Sequence, residues 1–160
     1  MFETHAAMGL LDKHSDGSIM RDLLNFLVLE NNRGGRHHNG GFYDYTAAGK
    51  VIWPKLMERF YKPEVVISEG DMKDRLLFRS VIETLKCLQE GVLRSVADAN
   101  IGSIMGIGAP AWTGGYLQFV NTYGLEKFTS RCDELADLYG ERFRAPAIVA
   151  DKLTKNELFS

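Results

Sequence analysis

Apolar residues along this chain recur mostly at helical spacing, and strand-like alternation is scarce. Ala6, Met8, Leu10 and Leu11 predict a short helix from Phe2 to about Asp12. Ser18 suits the N-cap of a second helix, with Ile19, Leu23, Phe26 and Leu27 on one stripe, ended by Asn31-Asn32-Arg33-Gly34-Gly35. Arg33 to Gly41 reads as a loop, with glycines at 34, 35, 40 and 41 around His37 and His38. The aromatic cluster Phe42-Tyr43-Asp44-Tyr45 is expected to pin that loop down. Ala47 to about Tyr61 is helical in pattern despite Pro54, and Pro63 ends it. Val65-Val66-Ile67 is the one short strand candidate.

The clearest element runs from Asp71 to about Asp98. Ser68 precedes an acidic first turn, Glu69 and Asp71, which suits the positive end of a helix dipole. Met72, Leu76, Leu85, Leu88 and Val92 follow helical spacing, and Lys73, Arg79, Glu83 and Lys86 take other faces. Gly91 inside this pattern is unfavourable unless another backbone packs against it. Glu126 to Tyr139 forms a further amphipathic helix on Phe128, Cys132, Leu135 and Leu138, with Gly140 at its end. Pro146 restarts a short C-terminal segment. The fold class is all-α.

Composition narrows the function classes. A chain of 160 residues holds one domain or slightly more, whereas a complete nucleotide-dependent enzyme with separate cofactor and substrate domains needs about 250. A net charge of −2 gives no reason to expect nucleic acid or an anionic membrane. Cys87 and Cys132 belong to no CxxC pair and read as small buried hydrophobes. The start has no basic segment and apolar run of a secretory signal, so a cytoplasmic protein is expected. Ala99 to Leu125 contains no charged residue, yet six glycines and Pro110 interrupt it too often for a membrane span.

Several motifs invite chemistry. Gly106-Ile107-Gly108-Ala109-Pro110, with Ala111 in third place, approaches a dinucleotide fingerprint, but it follows a helix where that fingerprint needs a strand. Its glycines are read as permitting a tight crossing of packed helices. His37-His38 lack a second ligand pair at metal spacing, which leaves a solvated loop able to contact an anionic group; His5 and His14 are isolated. Gly102-Ser103-Ile104-Met105-Gly106 places its serine one position too early for a nucleophile elbow. Among Asp71, Asp74, Glu83 and Glu90, the last two share a helix face as an acid–base pair would; ion pairing with Arg75, Arg79 and Lys86 is the favoured reading. Trp112 and its uncharged surroundings need shielding from water, by this chain's own core or by a partner domain.

Asp74-Arg75-Leu76-Leu77-Phe78 running through Glu83-Thr84 to Glu90-Gly91-Val92 resembles 3-hydroxyacyl-CoA dehydrogenases. So do Asp98-Ala99-Asn100-Ile101-Gly102, Gly106-Ile107-Gly108-Ala109-Pro110 and Trp112-Thr113-Gly114-Gly115. Together they look like the C-terminal helical domain of that family, a 6-phosphogluconate dehydrogenase C-terminal-like fold. The nearest likeness is the second copy of the duplicated domain in multifunctional fatty-acid oxidation proteins. Gly40-Gly41-Phe42-Tyr43-Asp44-Tyr45 looks like the link between copies, and Tyr139-Gly140-Glu141-Arg142-Phe143 like the closing segment. On this reading residues 1–32 are the tail of a preceding copy, 33–48 the linking loop and 49–160 the domain itself.

The resemblance implies NAD-dependent oxidation of the 3-hydroxyl of an acyl-CoA. The histidine–glutamate pair and the cofactor fold would sit in a Rossmann domain, so catalytic residues, cofactor and metal are all expected to be absent from this chain. Where the first copy carries Asn-Arg, this one has Asp74-Arg75, as in a structural copy. An aromatic residue that contacts acyl substrate in some relatives is matched by Met105, giving Met105, Gly106, Gly108 and Pro110 as substrate-side candidates. Expected partners are the Rossmann and first helical domains, the acyl-CoA and a second subunit. The rival reading is a free-standing helical interaction module, or one subunit of a split enzyme, binding through the Ala99–Leu125 face.

Overall fold

The computed structural model describes residues 16–160. The helix expected from Phe2 to Asp12, with His5 and His14, lies outside them. Two compact units are divided between Val65 and Val66.

In the first unit, α1 (Asp16–Leu24) continues into a π-helical stretch, Asn25–Glu30. Ser18 lies within α1 and is therefore not its cap. Beyond the glycine-rich loop, the aromatic cluster opens a hairpin of β1 (Tyr43–Thr46) and β2 (Gly49–Ile52), paired from Tyr43↔Ile52 to Thr46↔Gly49. The helix expected from Ala47 starts only at α2 (Pro54–Phe60). Proline takes its first turn, where a missing N–H is harmless, and Trp53 before it is extended. Phe26, Leu27 and Trp53 are buried together, with Leu23, Leu56 and Phe60 packed around them. Arg33 ties the glycine-rich loop to the hairpin, as the aromatic cluster leads one to expect. Its guanidinium donates to the carbonyls of Gly41 and Tyr43, both at 2.9 Å, pairs with Asp44 at 2.6 Å and lies 4.3 Å over the Trp53 ring.

The second unit is helical: α3 (Glu69–Gln89), α4 (Val96–Ile107), α5 (Tyr116–Tyr123), α6 (Leu125–Tyr139) and α7 (Ala147–Lys155), with 3₁₀ turns at Ala111–Thr113 and Glu141–Phe143. Val65–Ile67 forms no strand. Ser68 caps α3, its hydroxyl accepting from the Asp71 N–H at 3.0 Å. The helix expected to reach Asp98 is two helices. Gly91, at φ +74°, closes the first one, and no atom stands within 4 Å of where its β-carbon would be. The glycine therefore serves the left-handed turn after a helix end, not a close packing contact. Ser95 then caps α4 through the Asp98 N–H at 3.0 Å.

One core holds this unit. Phe78, Val81, Ile82 and Leu85 of α3, Leu117 and Val120 of α5, Phe128, Cys132 and Leu135 of α6, and Val149 of α7 are fully enclosed. Phe78 stacks on Phe128 at 4.8 Å and meets Tyr123 edge-on at 5.4 Å. Each such side chain contributes about 1.5–3 kcal/mol by leaving water. The buried stripe of α3 is rotated from the expected one. Leu85 is buried and Leu88 half-buried, but Met72 and Leu76 are exposed because the stripe through Phe78, Val81 and Ile82 faces the other helices, and Val92, also exposed, lies beyond the helix end. In α6 Phe128, Cys132 and Leu135 are buried as expected, and Leu138 is exposed. Among the described residues no helix is long and apolar enough to cross a membrane.

Candidate functional site

Four of the motif residues between Asp98 and Gly115 are architectural: Asn100, Ser103, Thr113 and Gly115. The Asn100 side-chain oxygen accepts from the N–H groups of Leu117 and Gln118, at 3.0 and 3.1 Å, and so satisfies the first turn of α5 from α4. Ser103 does the same for Tyr116 at 3.1 Å, while its own hydroxyl donates to the Asn100 carbonyl at 2.8 Å. Thr113 donates to the Pro110 carbonyl at 2.7 Å and accepts from the Gly115 N–H at 3.1 Å. The tight crossing expected at Gly106 and Gly108 occurs at Gly115 instead. Positions 102, 106 and 108 have open space where a β-carbon would go, whereas one on Gly115 would lie 2.5 Å from the Asn100 Cα.

Of the candidate carboxylate pair, Glu83 is consumed by cations. Glu83 takes Lys86 at 3.1 Å and Arg79 as well. Burial alone would raise its pKa; the Lys86 hydrogen bond and the charges of Arg79 and Lys86 outweigh burial and hold the carboxyl below its ordinary value. A general acid needs the opposite shift. Glu90 is exposed at the end of α3. Asp71 and Asp74 both bind Arg131, which also holds Glu134 at 2.8 Å, and the Tyr139 hydroxyl donates to Asp71 at 2.7 Å. Arg75 lies 4.3 Å over the Tyr139 ring. Asp74-Arg75 is thus part of an ion-pair and ring network joining α3 to α6. Burial pushes the Cys132 thiol up to about 12, far from a reactive thiolate. His37 and His38 are exposed on the glycine-rich loop, and among the described residues no three metal-ligating side chains gather.

What remains is a surface of α4 and the turn after it. Met105 is 81% exposed, one helical turn from Ile101 at 63%, with Ile107 at 67% and Trp112 at 74%. Gly102 and Gly106, also one turn apart, leave the same helix bare of side chains, and Gly108 and Pro110 are exposed at its end. The four substrate-side candidates therefore all lie on open surface. The uncharged run divides in two: Ala99, Ser103, Ala109, Thr113, Tyr116, Leu117, Phe119, Val120 and Leu125 are buried, and Ile101, Met105, Ile107 and Trp112 are the large apolar side chains left exposed. Ile101, one helical turn before Met105, shares its face, whereas Ile107, two residues on, lies on a different face of α4 beside Cys87, Val92 and Leu93. Such a surface can exclude water from a ligand or partner laid against it. It supplies no acid, base or nucleophile.

No protein-family model matches the chain. It is 34% identical over 119 residues to a fatty acid oxidation complex subunit alpha of Vibrio cholerae, a match covering 73% of this chain and 17% of the relative. The subunits of the same name from Vibrio vulnificus and Shewanella amazonensis are 33% identical over 119 residues and 29% over 137. The chain thus spans under a fifth of the length of the curated relatives it matches. With the ordered motifs and the helical fold, these similarities show that the chain belongs to the 3-hydroxyacyl-CoA dehydrogenase family, as a helical domain of the C-terminal type.

Proposed function

We propose that this chain is the C-terminal helical part of an NAD-dependent 3-hydroxyacyl-CoA dehydrogenase acting in cytoplasmic fatty-acid oxidation. It covers the acyl-CoA cleft and makes contacts with the Rossmann and first helical domains or a second subunit. Residues 1–32 then end a preceding helical copy, 33–48 link the copies and 49–160 form the domain. Its relatives are fatty acid oxidation complex alpha subunits, which supports a β-oxidation enzyme.

The observation that carries the reading is the uncharged surface of α4 and the turn after it, with Ile101 and Met105 exposed on one helix face and Ile107 and Trp112 exposed beyond them. Met105, Gly106, Gly108 and Pro110 form its substrate side: a thioether and bare backbone suit an acyl chain and offer it no competing polar group. Hydride transfer, the acid–base pair and NAD belong to the other domains.

The test uses the complete enzyme and the 160-residue chain. Reduction of acetoacetyl-CoA by NADH is expected in the former and absent in the latter. Met105→Glu in the complete enzyme is expected to raise KM for long acyl chains more than for acetoacetyl-CoA. Reduction by the chain alone, or an unchanged chain-length profile in the variant, would overturn the reading.

A further inference from the structure

Asn39 is the one asparagine in the sequence that a glycine follows. It lies exposed in the glycine-rich loop, at a left-handed φ of 59° that asparagine tolerates better than most residues. Its side-chain amide reaches the Asn32 carbonyl at 3.5 Å, a length at which little holds it. Among the described residues the Gly40 N–H donates no hydrogen bond. A loosely held amide therefore stands next to a backbone nitrogen that no β-carbon shields.

Gly40, by contrast, is buried and tightly placed. A β-carbon there would lie 2.5 Å from an Arg33 guanidinium nitrogen and 2.7 Å from the Tyr43 carbonyl oxygen. The Gly40 carbonyl accepts from the Gly35 N–H at 2.7 Å, which closes the loop on itself. The guanidinium that presses on Gly40 is the one that holds Gly41, Tyr43 and Asp44 and covers Trp53. No atom can be inserted into the main chain between Asn39 and Gly40 without moving Arg33.

We infer that Asn39 is a site of spontaneous deamidation, and that its isoaspartate product releases the Arg33 tie between the loop and the hairpin. The Gly40 nitrogen attacks the Asn39 side-chain carbonyl carbon, and the amide nitrogen leaves as ammonia, taking the Gly40 proton. Water then opens the succinimide, adding hydroxide to one carbonyl and a proton to the Gly40 nitrogen. Nothing is oxidised or reduced. Opening at the side-chain carbonyl gives aspartate. Opening at the main-chain carbonyl gives isoaspartate, with an extra methylene in the backbone before Gly40. Either product, once ionised, takes the net charge from −2 to −3. Ring closure requires Asn39 and Gly40 to rotate where Arg33 and the Gly35 hydrogen bond hold them, so the loop must first open. Arg33 thus slows the reaction, and the reaction displaces Arg33. The chemistry needs no acyl-CoA and no other domain.

Ageing the folded chain in warm buffer at pH 8, followed by peptide mapping, tests it. Asn39 should gain the mass of a hydroxyl in place of an amino group before any other asparagine does. An isoaspartate-specific methyltransferase should label the same peptide; Asp16-Gly17 isomerises without a mass change, so the map keeps the two apart. Asn39→Gly keeps the left-handed backbone and should show neither signal at this position. Arg33→Ala should deamidate roughly tenfold faster than the wild type, because the opening that it normally opposes becomes easier. Two measurements do not depend on how well that variant folds. In urea the wild-type Asn39 should react roughly tenfold faster than in the folded chain. In a Trp112→Phe chain, the purified isoaspartate form should expose Trp53 to acrylamide about twofold more than Asn39→Asp does. No reaction at Asn39, earlier reaction at another asparagine, a rate unchanged by Arg33→Ala or by urea, or a Trp53 equally protected in both forms would each overturn the inference.

Discussion

A β-carbon placed on Gly115 would lie 2.5 Å from the Asn100 Cα, closer than any real side chain approaches. The residue also holds φ +102°, a conformation that side-chain-bearing residues rarely adopt. Gly115→Ala must therefore push α4 from α5 and strain the backbone together. Overpacking costs about 1–3 kcal/mol and an unfavourable φ about as much again. A loss of about 3 kcal/mol or more in urea unfolding is expected. At Gly102, where the space is open, the same change should cost nothing or slightly stabilise α4.

Asn100 supplies the other half of that junction. Asn100→Ala leaves the Leu117 and Gln118 N–H groups without an acceptor and should cost about 1–2 kcal/mol. Asn100→Asp keeps the oxygen and adds a charge that the positive end of α5 favours, so it should restore most of that loss. Thermal unfolding of both variants at pH 7 decides the point: equal losses would mean that the hydrogen bonds contribute little.

How far the sequence speaks depends on whether a signal is local. Ser68 and Ser95 each precede an acidic turn, and only the first stands out, because the pattern from Asp71 to Asp98 runs on through Gly91 as if unbroken. A left-handed glycine closing one helix and a glycine tolerated inside a longer one look alike in sequence. The hairpin is hidden for a similar reason: Ala47-Ala48 at its turn are helix formers, and neither Asn-Gly nor Asp-Gly marks it. The site was half legible. The absence of charge over Ala99–Leu125 identified the surface, but which residues face outward depends on where α4 packs, and that is fixed by Gly115, thirteen residues beyond Gly102.

The network around Arg131 makes stability depend on pH. The Tyr139 hydroxyl, and then Arg131, hold the Asp71 carboxyl below its ordinary value, and the same hydrogen bond to Asp71 raises the Tyr139 hydroxyl. A carboxyl depressed in the folded state stabilises above its unfolded pKa of about 4 and loses that contribution as pH falls through the folded value. A raised phenol stabilises below its unfolded pKa of about 10 and loses that contribution as pH rises through the folded value. Tyr139→Phe keeps the ring beneath Arg75 but removes the donor. Its urea midpoint should fall at pH 7 and converge on that of the wild type as acid protonates Asp71. Parallel curves across that range would exclude the coupling.

The cysteines should separate cleanly by reactivity. Cys87 is half-buried beside Val92 and Leu93 at the rim of a shallow groove, whereas Cys132 is enclosed in the core with its thiol pushed up to about 12. Ellman's reagent at pH 8 should modify Cys87 under native conditions and Cys132 only at the rate of unfolding. Cys87→Ser should abolish the fast phase. Rapid modification of both thiols would contradict the close packing of α6.

Two tryptophans report separately on the two units. Trp53 is 9% exposed in its cluster with Phe26, while Trp112 is 74% exposed on the uncharged surface and touches Phe119 edge-on at 6.2 Å. In a Trp53→Phe chain, acrylamide should quench nearly all emission; in a Trp112→Phe chain it should quench little. Met105→Ser and Ile101→Ser remove apolar surface that already meets water, so each should change stability by less than about 0.5 kcal/mol. If that surface seats another domain, adding the remainder of the complete enzyme should protect Trp112 from acrylamide, and Met105→Glu should remove that protection. Quenching of Trp112 that is equal with and without the other domains would leave the surface facing solvent and take away the observation on which its covering role rests.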